Sequence, residues 1–354
     1  MYKVNQKNGV PANQTTESGL PETRCITLAH GNGGRFMREL IEGLFARYLH
    51  NPHLDTQADA SLLPEMKGEV MVTTDGFTVQ PLEFPGGTIG SLAVHGTVND
   101  LAVSGATPLY LTLNAFIEEG LEFEQLARIV ASLAQAATES GVQVVAGDTK
   151  VVPRGEGGGL YLATTGVGVR RKGLQLGMGQ IQEGDAILLS GPVGDHGIAV
   201  MLAREQFGLR GDLHSDAASV LPLTEALLTL SGLRFMRDPT RGGLATVAHE
   251  IIRATGMGVH LNEPSIPVRD PVRSVCEILG YDPLYLACEG RVVAVVASGH
   301  AQEALAKWRA LPQGAAASLI GHVGGSQPCV VLHTELGGER LLDELEDDPL
   351  PRIC

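Results

Sequence analysis

The spacing of apolar residues along the chain switches between a helical and a strand period, and these switches predict its elements. From 36 to 49, apolar residues recur every three or four positions, which is typical of an amphipathic helix. The same spacing predicts further helices over 88–104, 123–140, 198–205, 217–231, 243–255, 271–279 and 301–310. Runs rich in Val, Ile and Leu predict strands over 69–74, 108–117, 142–146, 160–170, 186–190, 257–261, 286–297, 319–323 and 330–333. Because helices and strands mix in both halves, the predicted fold class is α/β (α+β) with two domains.

Polar segments flank these elements at both ends of the chain, and the two halves meet near residues 170–180. We expect residues 1–25 to form a disordered N-terminal extension, because they carry no apolar period. The first domain then covers 26–172 and the second covers 173–336. The last segment, 337–354, is acidic and contains prolines, which predicts a flexible tail.

Composition narrows the classes of function. The 354 residues carry a formal net charge of −14, so we expect no broad basic face for nucleic acid or for an anionic membrane. The five cysteines contain no C-x-x-C pair, which favours a reducing cytoplasm over a disulfide framework or a zinc ribbon. We expect no signal sequence and no membrane span, because no apolar run approaches the roughly 20 residues that cross a bilayer.

Acidic residues beside the predicted elements are the main candidates for chemistry. They are Asp75, Asp100, Asp148, Asp238 and Glu289. Carboxylates that are dispersed in sequence can converge on Mg²⁺, which prefers oxygen ligands and bridges phosphates. Taken singly, each aspartate before Gly or Pro is better explained as a turn or cap residue. The whole set, together with Lys150 and two glycine loops, favours a nucleotide site.

The two glycine loops each precede a predicted helix. The first is HGNGG at 30–34 and the second is RDPTRGG at 237–243, and the main-chain amides of either could hold phosphate groups. A plain N-cap loop explains each of them equally well. The sequence contains neither a G-x-x-x-x-G-K-[ST] phosphate loop nor a G-x-G-x-x-G dinucleotide fingerprint.

Two further residues stand out for their positions. His95 lies on the helix predicted over 88–104, where a structural role is the more common explanation and a catalytic role the less common one. Cys354 is the last residue of the chain, and a thiol on a tether suggests a carrier of a covalently bound group. An incidental surface thiol is the competing explanation for Cys354.

Taken together, these segments resemble the HypE family, the carbamoyl dehydratases of [NiFe]-hydrogenase maturation. The resemblance runs from about residue 26 to 354, and its most specific segment is the terminal PRIC. The segments that carry it are 30–34, 74–77, 84–90, 96–106, 147–152, 238–243 and 351–354. The aspartate segments alone mark the wider superfamily of aminoimidazole ribonucleotide (AIR) synthetase, selenophosphate synthetase and thiamine-monophosphate kinase. This chain has Cys288-Glu289-Gly290 where many relatives have Asn-Glu-Gly.

The resemblance implies a fold, a reaction and partners. The fold is a two-domain AIR-synthetase-like fold whose N-terminal domain forms a dimeric β-barrel with a second copy, with ATP in the cleft between the domains. HypF would load a carbamoyl group onto Cys354, and ATP would then drive its dehydration to a thiocyanate. The cyanide would pass to iron held by the HypC–HypD complex.

The resemblance also assigns roles to residues. Mg²⁺ would be held by Asp75, Asp100 and Asp238. ATP would be bound by these three aspartates and by Gly31, Asn32, Gly33, Gly34, Asn99, Asp148 and Thr149. The catalytic residues would be Cys354, Lys150, Glu289 and His95, with the last two as candidates for proton removal.

Two other functions compete with this one. The first is a related ATP-dependent kinase or synthetase that acts on a free small molecule and is indifferent to Cys354. The second is a non-enzymatic ATP-binding scaffold that only presents its tail to partners, and it would bind nucleotide without hydrolysing it.

Overall fold

The structure, a computed structural model, describes residues 24–204, 212–325 and 327–346. Its strands are β1 (Glu69–Phe77), β2 (Glu83–Phe84), β3 (Gly87–Thr88), β4 (Ala106–Glu118), β5 (Gln143–Val152), β6 (Leu160–Arg170), β7 (Ala186–Leu189), β8 (Leu233–Arg237), β9 (Val259–Asn262), β10 (Val293–Val296), β11 (Ser318–Val323), β12 (Val330–His333) and β13 (Glu339–Leu342). Its α-helices are α1 (Arg35–Leu40), α2 (Ala46–Tyr48), α3 (Ile89–Val103), α4 (Phe123–Glu139), α5 (Asp195–Ala203), α6 (Leu221–Leu227), α7 (Gly243–Thr255), α8 (Asp270–Leu279) and α9 (Ala301–Arg309). A π-helical segment, Ile41–Phe45, joins α1 to α2, so the helix predicted over 36–49 is present.

The first domain contains a four-stranded sheet in the order β1-β6-β4-β5, in which only β4 and β5 run parallel. Two strands are longer than predicted, and this corrects the position of two candidate residues. Asp75 pairs with Thr164 inside β1, and Asp148 pairs with Asn114 inside β5. The predicted strands ended before these residues because Gly and Asp disfavour strands locally, whereas pairing with a neighbouring strand overrides that preference.

Helix α3 lies between the two domains. The Thr88 side chain accepts hydrogen bonds from the main-chain N–H groups of Gly90 and Ser91, which fixes the predicted start of the helix. Nearly every residue of α3 is buried, because it packs on the first sheet, on α4 and on α6 of the second domain. Gly90 permits the close approach of α4, since a Cβ there would lie 2.3 Å from the main-chain O of Ile129.

The second domain contains a seven-stranded sheet in the order β13-β12-β9-β11-β7-β10-β8. The strand predicted over 286–297 is confirmed only at Val293–Val296. The preceding residues include Glu289 and form a buried loop against the first domain. Periodicity alone cannot distinguish a short apolar strand from such a loop.

The segment predicted as a flexible tail is partly held on the second domain. Glu339–Leu342 forms β13 at the sheet edge, beside β12. After it, the Tyr285 hydroxyl donates to the main-chain O of Asp343 over 2.7 Å, and Arg253 pairs with Glu344. Leu345 lies at the start of α7, where its Cδ2 would be 3.4 Å from a Cβ at Gly242. The last described residues therefore end beside the 238–243 loop.

At the other end of the described chain, Cys25 and Ile26 pair with the turn before α4. Ile26 N donates to Leu121 O over 2.8 Å. No helix in the described ranges is long and apolar enough to cross a membrane.

Candidate functional site

A cluster of three carboxylates lies where the domains meet, and we call it the acidic cluster: Asp75, Asp100 and Asp238. Asp100 projects from α3 and accepts a 2.7 Å hydrogen bond from the Thr73 hydroxyl on β1. Asp75, two residues further along β1, pairs with Arg241 over 2.9 Å. Asp238 follows β8 in the same loop as Arg241, so this loop of the second domain meets β1 of the first.

The acidic cluster concentrates negative charge in a poorly hydrated place. Burial, and then the charges of Asp100 and Asp75, raise the pKa of Asp238 to about 7, although Arg237 acts in the opposite direction. Burial also raises the pKa of Asp100, with the charge of Asp75 adding to it. Three carboxylates in these surroundings favour a bound cation or protonation of one of them.

The first glycine loop lies beside β5, at the other edge of the first sheet. A Cβ at Gly31 would lie 2.8 Å from Val151, so only glycine allows the loop to approach this strand so closely. Gly34 N donates to Asn32 Oδ1 over 3.0 Å, and Gly33 has a positive φ of 78°. The predicted loop thus exists as a compact turn next to the strand that carries Asp148, Thr149 and Lys150.

On β5 the predicted residues divide between the two faces. Lys150 and Asp148 form a 3.0 Å ion pair with both side chains about half exposed, and Thr149 is buried. Asp75 lies in one row across the sheet with Thr164, Leu113 and Gly147, so these residues share a face. Asp148 follows Gly147 and therefore lies on the opposite face. Because β6 and β4 lie between them, β1 and β5 are separated by three inter-strand spacings of about 4.8 Å, or roughly 14 Å.

Asn99 does not line an open nucleotide pocket. Its side-chain amide is buried and donates to the main-chain O atoms of Ala218 and Glu289, at 3.0 and 3.1 Å. Its Oδ1 accepts from Val220 N over 2.8 Å. The side chain therefore joins α3 to two segments of the second domain, one of which carries the buried Glu289.

His95 lies apart from the acidic cluster. It lines a polar cavity of about 440 Å³ between α3, α4 and residues 217–222. Burial lowers the pKa of His95 to about 4, with Glu139 acting in the opposite direction, so the ring is neutral at pH 7. Within the described part of the chain, its Nδ1 has no hydrogen-bond partner.

The remaining candidate, Cys354, lies outside the described residues. Within the ranges described above, no group of three or more His, Cys, Asp or Glu side chains is arranged to hold a metal ion. The structure thus brings Asp75, Asp100 and Asp238 together as one group. It brings the glycine loop together with Asp148, Thr149 and Lys150 as a second group.

Sequence reasoning missed three residues of this region: Thr73, Arg241 and Asp216. Arg241 stands in the DPTRGG motif, so its loop was identified from the sequence, but its ion pair with Asp75 was not. Asp216 is fully buried and accepts from the main-chain N–H groups of Glu289 and Gly290. No local signal marks Asp216, because all of these partners are about 70 residues away in the sequence.

Two sequence profiles of AIR synthase related proteins match this chain. The profile of the N-terminal domain matches residues 57–170, and that of the C-terminal domain matches residues 182–333. The two-domain architecture and the acidic cluster at its junction thus define a protein of the AIR synthase related class.

The relatives identify the group within this class. Carbamoyl dehydratase HypE of Azotobacter vinelandii is 48% identical over 331 residues, which cover 93% of this chain and 97% of the relative. A solved structure of hydrogenase maturation protein HypE in complex with ATP has a TM-score of 0.87 and 44% identity, and covers 93% of this chain and 99% of its own. A HypE–HypF complex has a TM-score of 0.76 and 44% identity, and covers 86% of this chain and 99% of the matched one. The chain belongs to the carbamoyl dehydratase HypE family, which confirms the resemblance stated above.

Proposed function

We propose that this chain uses ATP to dehydrate a carbamoyl group carried on Cys354 to a thiocyanate, and that this supplies the cyanide ligand of a [NiFe]-hydrogenase iron centre. The observation that carries the proposal is the acidic cluster, to which both domains of the family contribute. The name of the A. vinelandii relative and the ATP complex of the solved HypE support the same reaction.

The acidic cluster fits Mg²⁺ by its chemistry. Its donors are carboxylate oxygens, which this cation prefers, and burial together with the charges of Asp100 and Asp75 raises the pKa of Asp238, an effect that a bound cation would offset. Asp75, Asp100 and Asp238 would hold the ion. When bound, the ion would neutralise charge on the transferred phosphoryl group.

The second group would serve the nucleotide across the interface of the proposed homodimer, because within one chain it lies roughly 14 Å from the acidic cluster and Asp148 points to the opposite face of the sheet. The main-chain amides of Gly31, Asn32, Gly33 and Gly34 would bind phosphate oxygens once Gly33 N releases Met37 Sδ and Gly34 N releases Asn32 Oδ1, and Asp148 and Thr149 on β5 lie alongside this loop. Lys150 would stabilise negative charge on the phosphate or on the carbamoyl oxygen. Asn99, in contrast, would hold the loop that carries Glu289 in place and would not bind the nucleotide.

The chemistry needs phosphate transfer and the loss of two N–H protons. The carbamoyl oxygen attacks the terminal phosphorus of ATP, ADP leaves, and one N–H proton is lost as an O-phosphorylated imidate forms. The C–O bond then breaks, phosphate leaves with its electron pair, and loss of the second N–H proton gives S–C≡N. Of the two candidates for proton removal, we favour Glu289, because its loop contacts the residue next to Asp100 whereas His95 faces a separate cavity.

The partner proteins and the cellular compartment follow from the same reaction. HypF would load Cys354, in keeping with the solved HypE–HypF complex, and the HypC–HypD complex would accept the cyanide. A carrier thiol has to stay reduced, which favours the cytoplasm as the compartment of the reaction. The outer face of the first sheet, with exposed Val70, Val72 and Phe116, supports a homodimer closed into a β-barrel.

Intact-mass analysis tests the reaction. The chain is incubated with HypF, carbamoyl phosphate and ATP, and the C-terminal peptide is followed over time. We expect the mass of a carbamoyl group to be gained on Cys354, and the mass of one water then to be lost only when ATP is present. Turnover of a free small molecule without modification of Cys354 would indicate a kinase or synthetase, and nucleotide binding without either would indicate a scaffold.

A further inference from the structure

The main chain around Glu289 is held by side chains from two directions. Asp216 accepts from the N–H groups of Glu289 and Gly290, both over 3.2 Å. Asn99 donates to the Glu289 carbonyl over 3.1 Å. Both amide planes that flank the Cα of Glu289 are therefore hydrogen-bonded, which fixes the origin and direction of its side chain.

Asp216 is itself held in place by buried charge. Its carboxylate is inaccessible to solvent, and Arg291 Nε lies 3.3 Å from it. The same guanidinium contacts Asp195 over 3.3 Å and donates from Nε to the main-chain O of Pro192 over 2.9 Å. A buried carboxylate with paired charge and two N–H donors is rigid, because moving it would leave several polar groups unsatisfied.

The packing next to Glu289 leaves no room for adjustment. A Cβ at Gly290 would lie 1.9 Å from the main-chain O of Asp216, so the two segments touch along their backbones. Ala218 N also donates to the Glu289 carbonyl over 3.4 Å. Asn99 bonds to Ala218 and Val220 on the same segment, so it ties this junction to α3 of the first domain.

We infer that Asp216 and Asn99 are positioning residues of the dehydration, which hold the Glu289 carboxylate where it takes a proton from the carbamoyl nitrogen. The inference rests on the proposed function, in which Glu289 is the base. Asn99 is the neighbour of Asp100 on α3, so one turn of this helix positions both a member of the acidic cluster and the loop that carries the base. A proton acceptor is effective only within hydrogen-bond reach of its proton, so a small rotation of this loop should slow the chemistry and leave ATP binding nearly unchanged.

The test is a double-mutant cycle on single-turnover dehydration of carbamoylated protein. Asp216→Asn keeps the shape but removes one of the two acceptor oxygens, and we expect the rate to fall by at least about tenfold with the ATP Kd within about twofold of wild type. In a Glu289→Gln background the same substitution should have no further effect, because the group that it positions is gone. Asn99→Ser is a second variant that acts from the other domain and should behave in the same way.

Ser190→Ala is the matched control. It removes another buried hydrogen bond of this loop, the 2.9 Å contact from Val292 N to Ser190 Oγ, without touching Glu289. We expect it to lower the melting temperature and leave the dehydration rate within about twofold of wild type.

Two outcomes separate the inference from the function on which it rests. If Asp216→Asn and Asn99→Ser slow the reaction equally in both backgrounds, their effect does not pass through Glu289 and the inference is overturned. If Glu289→Gln alone leaves dehydration unchanged, the assignment of the base in the proposed function is wrong, whatever the other variants do.

Discussion

At the scale of single residues, Asp238 shows how the site conflicts with the stability of the chain. It is 5% exposed and lies near two other carboxylates, and its pKa of about 7 is far above that of an ordinary aspartate. In the unfolded chain its pKa returns to about 3.8, so the folded state binds its proton more tightly. The stability that this protonation contributes is complete below about pH 4 and is lost as the pH rises through 7.

Asp238→Asn should therefore stabilise the nucleotide-free protein at pH 8. The neutral amide avoids the burial of a charge, and a pKa difference of about three units corresponds to a gain on the order of 2–4 kcal/mol. The gain should shrink as the pH is lowered and vanish near pH 4. Urea unfolding at several pH values measures it, and dehydration activity should be lost at the same time.

Asp59→Asn is the matched control for this experiment, because Asp59 is exposed. It should change the free energy of unfolding by less than about 0.5 kcal/mol at every pH. A lower stability of Asp238→Asn than of wild type at pH 8 would show that the carboxylate is compensated in the folded state, contrary to the argument above.

At the scale of elements, the first sheet has one face covered by helices and one face open. Val70 and Val72 of β1 are 50% and 65% exposed, and Phe116 of β4 is 40% exposed on the same face. Antiparallel sheets often leave one face to water, but such faces are usually polar. Apolar side chains on this face favour a second copy as its cover.

Val72→Lys should break the proposed homodimer. A two-fold interface contains the substitution twice, and the loss of about 1.5 kcal/mol for each buried Val should weaken dimerisation by at least about a hundredfold. Analytical ultracentrifugation over a range of concentrations measures the change. Circular dichroism should stay the same, since Val72 is 65% exposed in one chain.

Ile278→Lys is the control, because Ile278 is equally exposed, at 66%, but lies on α8 of the second domain. It should leave the oligomeric state unchanged. An unaltered dimer in Val72→Lys, or a dimer that Ile278→Lys disrupts instead, would place the interface elsewhere.

The sequence predicts the bounds of helices and strands best where apolar residues keep a regular helical or strand spacing. The bounds of β6, α7 and β12 agree with the predicted 160–170, 243–255 and 330–333. The predictions fail where contacts distant in sequence decide the structure. Strand β1 continues through Asp75 because β6 pairs with it. The segment around Glu289 was predicted as a strand, but it is a loop that is buried because both domains cover it.

The candidate site shows the same division. Types of residue and local motifs identify Asp75, Asp100 and Asp238, but not that Arg241 reaches across to Asp75. The role of Asn99 follows from three main-chain partners that lie 119 to 190 residues away, and no local pattern contains that information.

At the scale of the whole molecule, the C-terminal segment links the carrier to the site. Cys354→Ala should abolish carbamoyl loading and leave ATP binding intact, because the acidic cluster and the glycine loop lie far from it in sequence. One alanine added after Cys354 should slow modification by at least about tenfold, since it would move the carboxylate away from the thiol and lengthen the end of the chain that a pocket has to accept. Mass spectrometry of wild type and both variants under the same conditions compares loading and dehydration.

Normal thiocyanate formation on the extended chain would show that the terminal position of the thiol is incidental. Modification of Cys354→Ala at another cysteine would overturn the carrier role itself. Cys25, Cys276, Cys288 and Cys329 are free thiols in the structure, so each can be monitored as an alternative acceptor in the same spectra.

Because residues 342–345 are attached beside the 238–243 loop, the Cys354 thiol has a defined local concentration around this loop. Eight residues remain after Glu346, and at about 3.5 Å each they reach no further than roughly 28 Å. One thiol within a sphere of that radius corresponds to a concentration on the order of 20 mM. A tail from another molecule present at about 10 µM would compete at a disadvantage of roughly a thousandfold. Dehydration would therefore take place within one molecule or its homodimer, and the rate per chain should not change when the protein is diluted while the dimer stays intact.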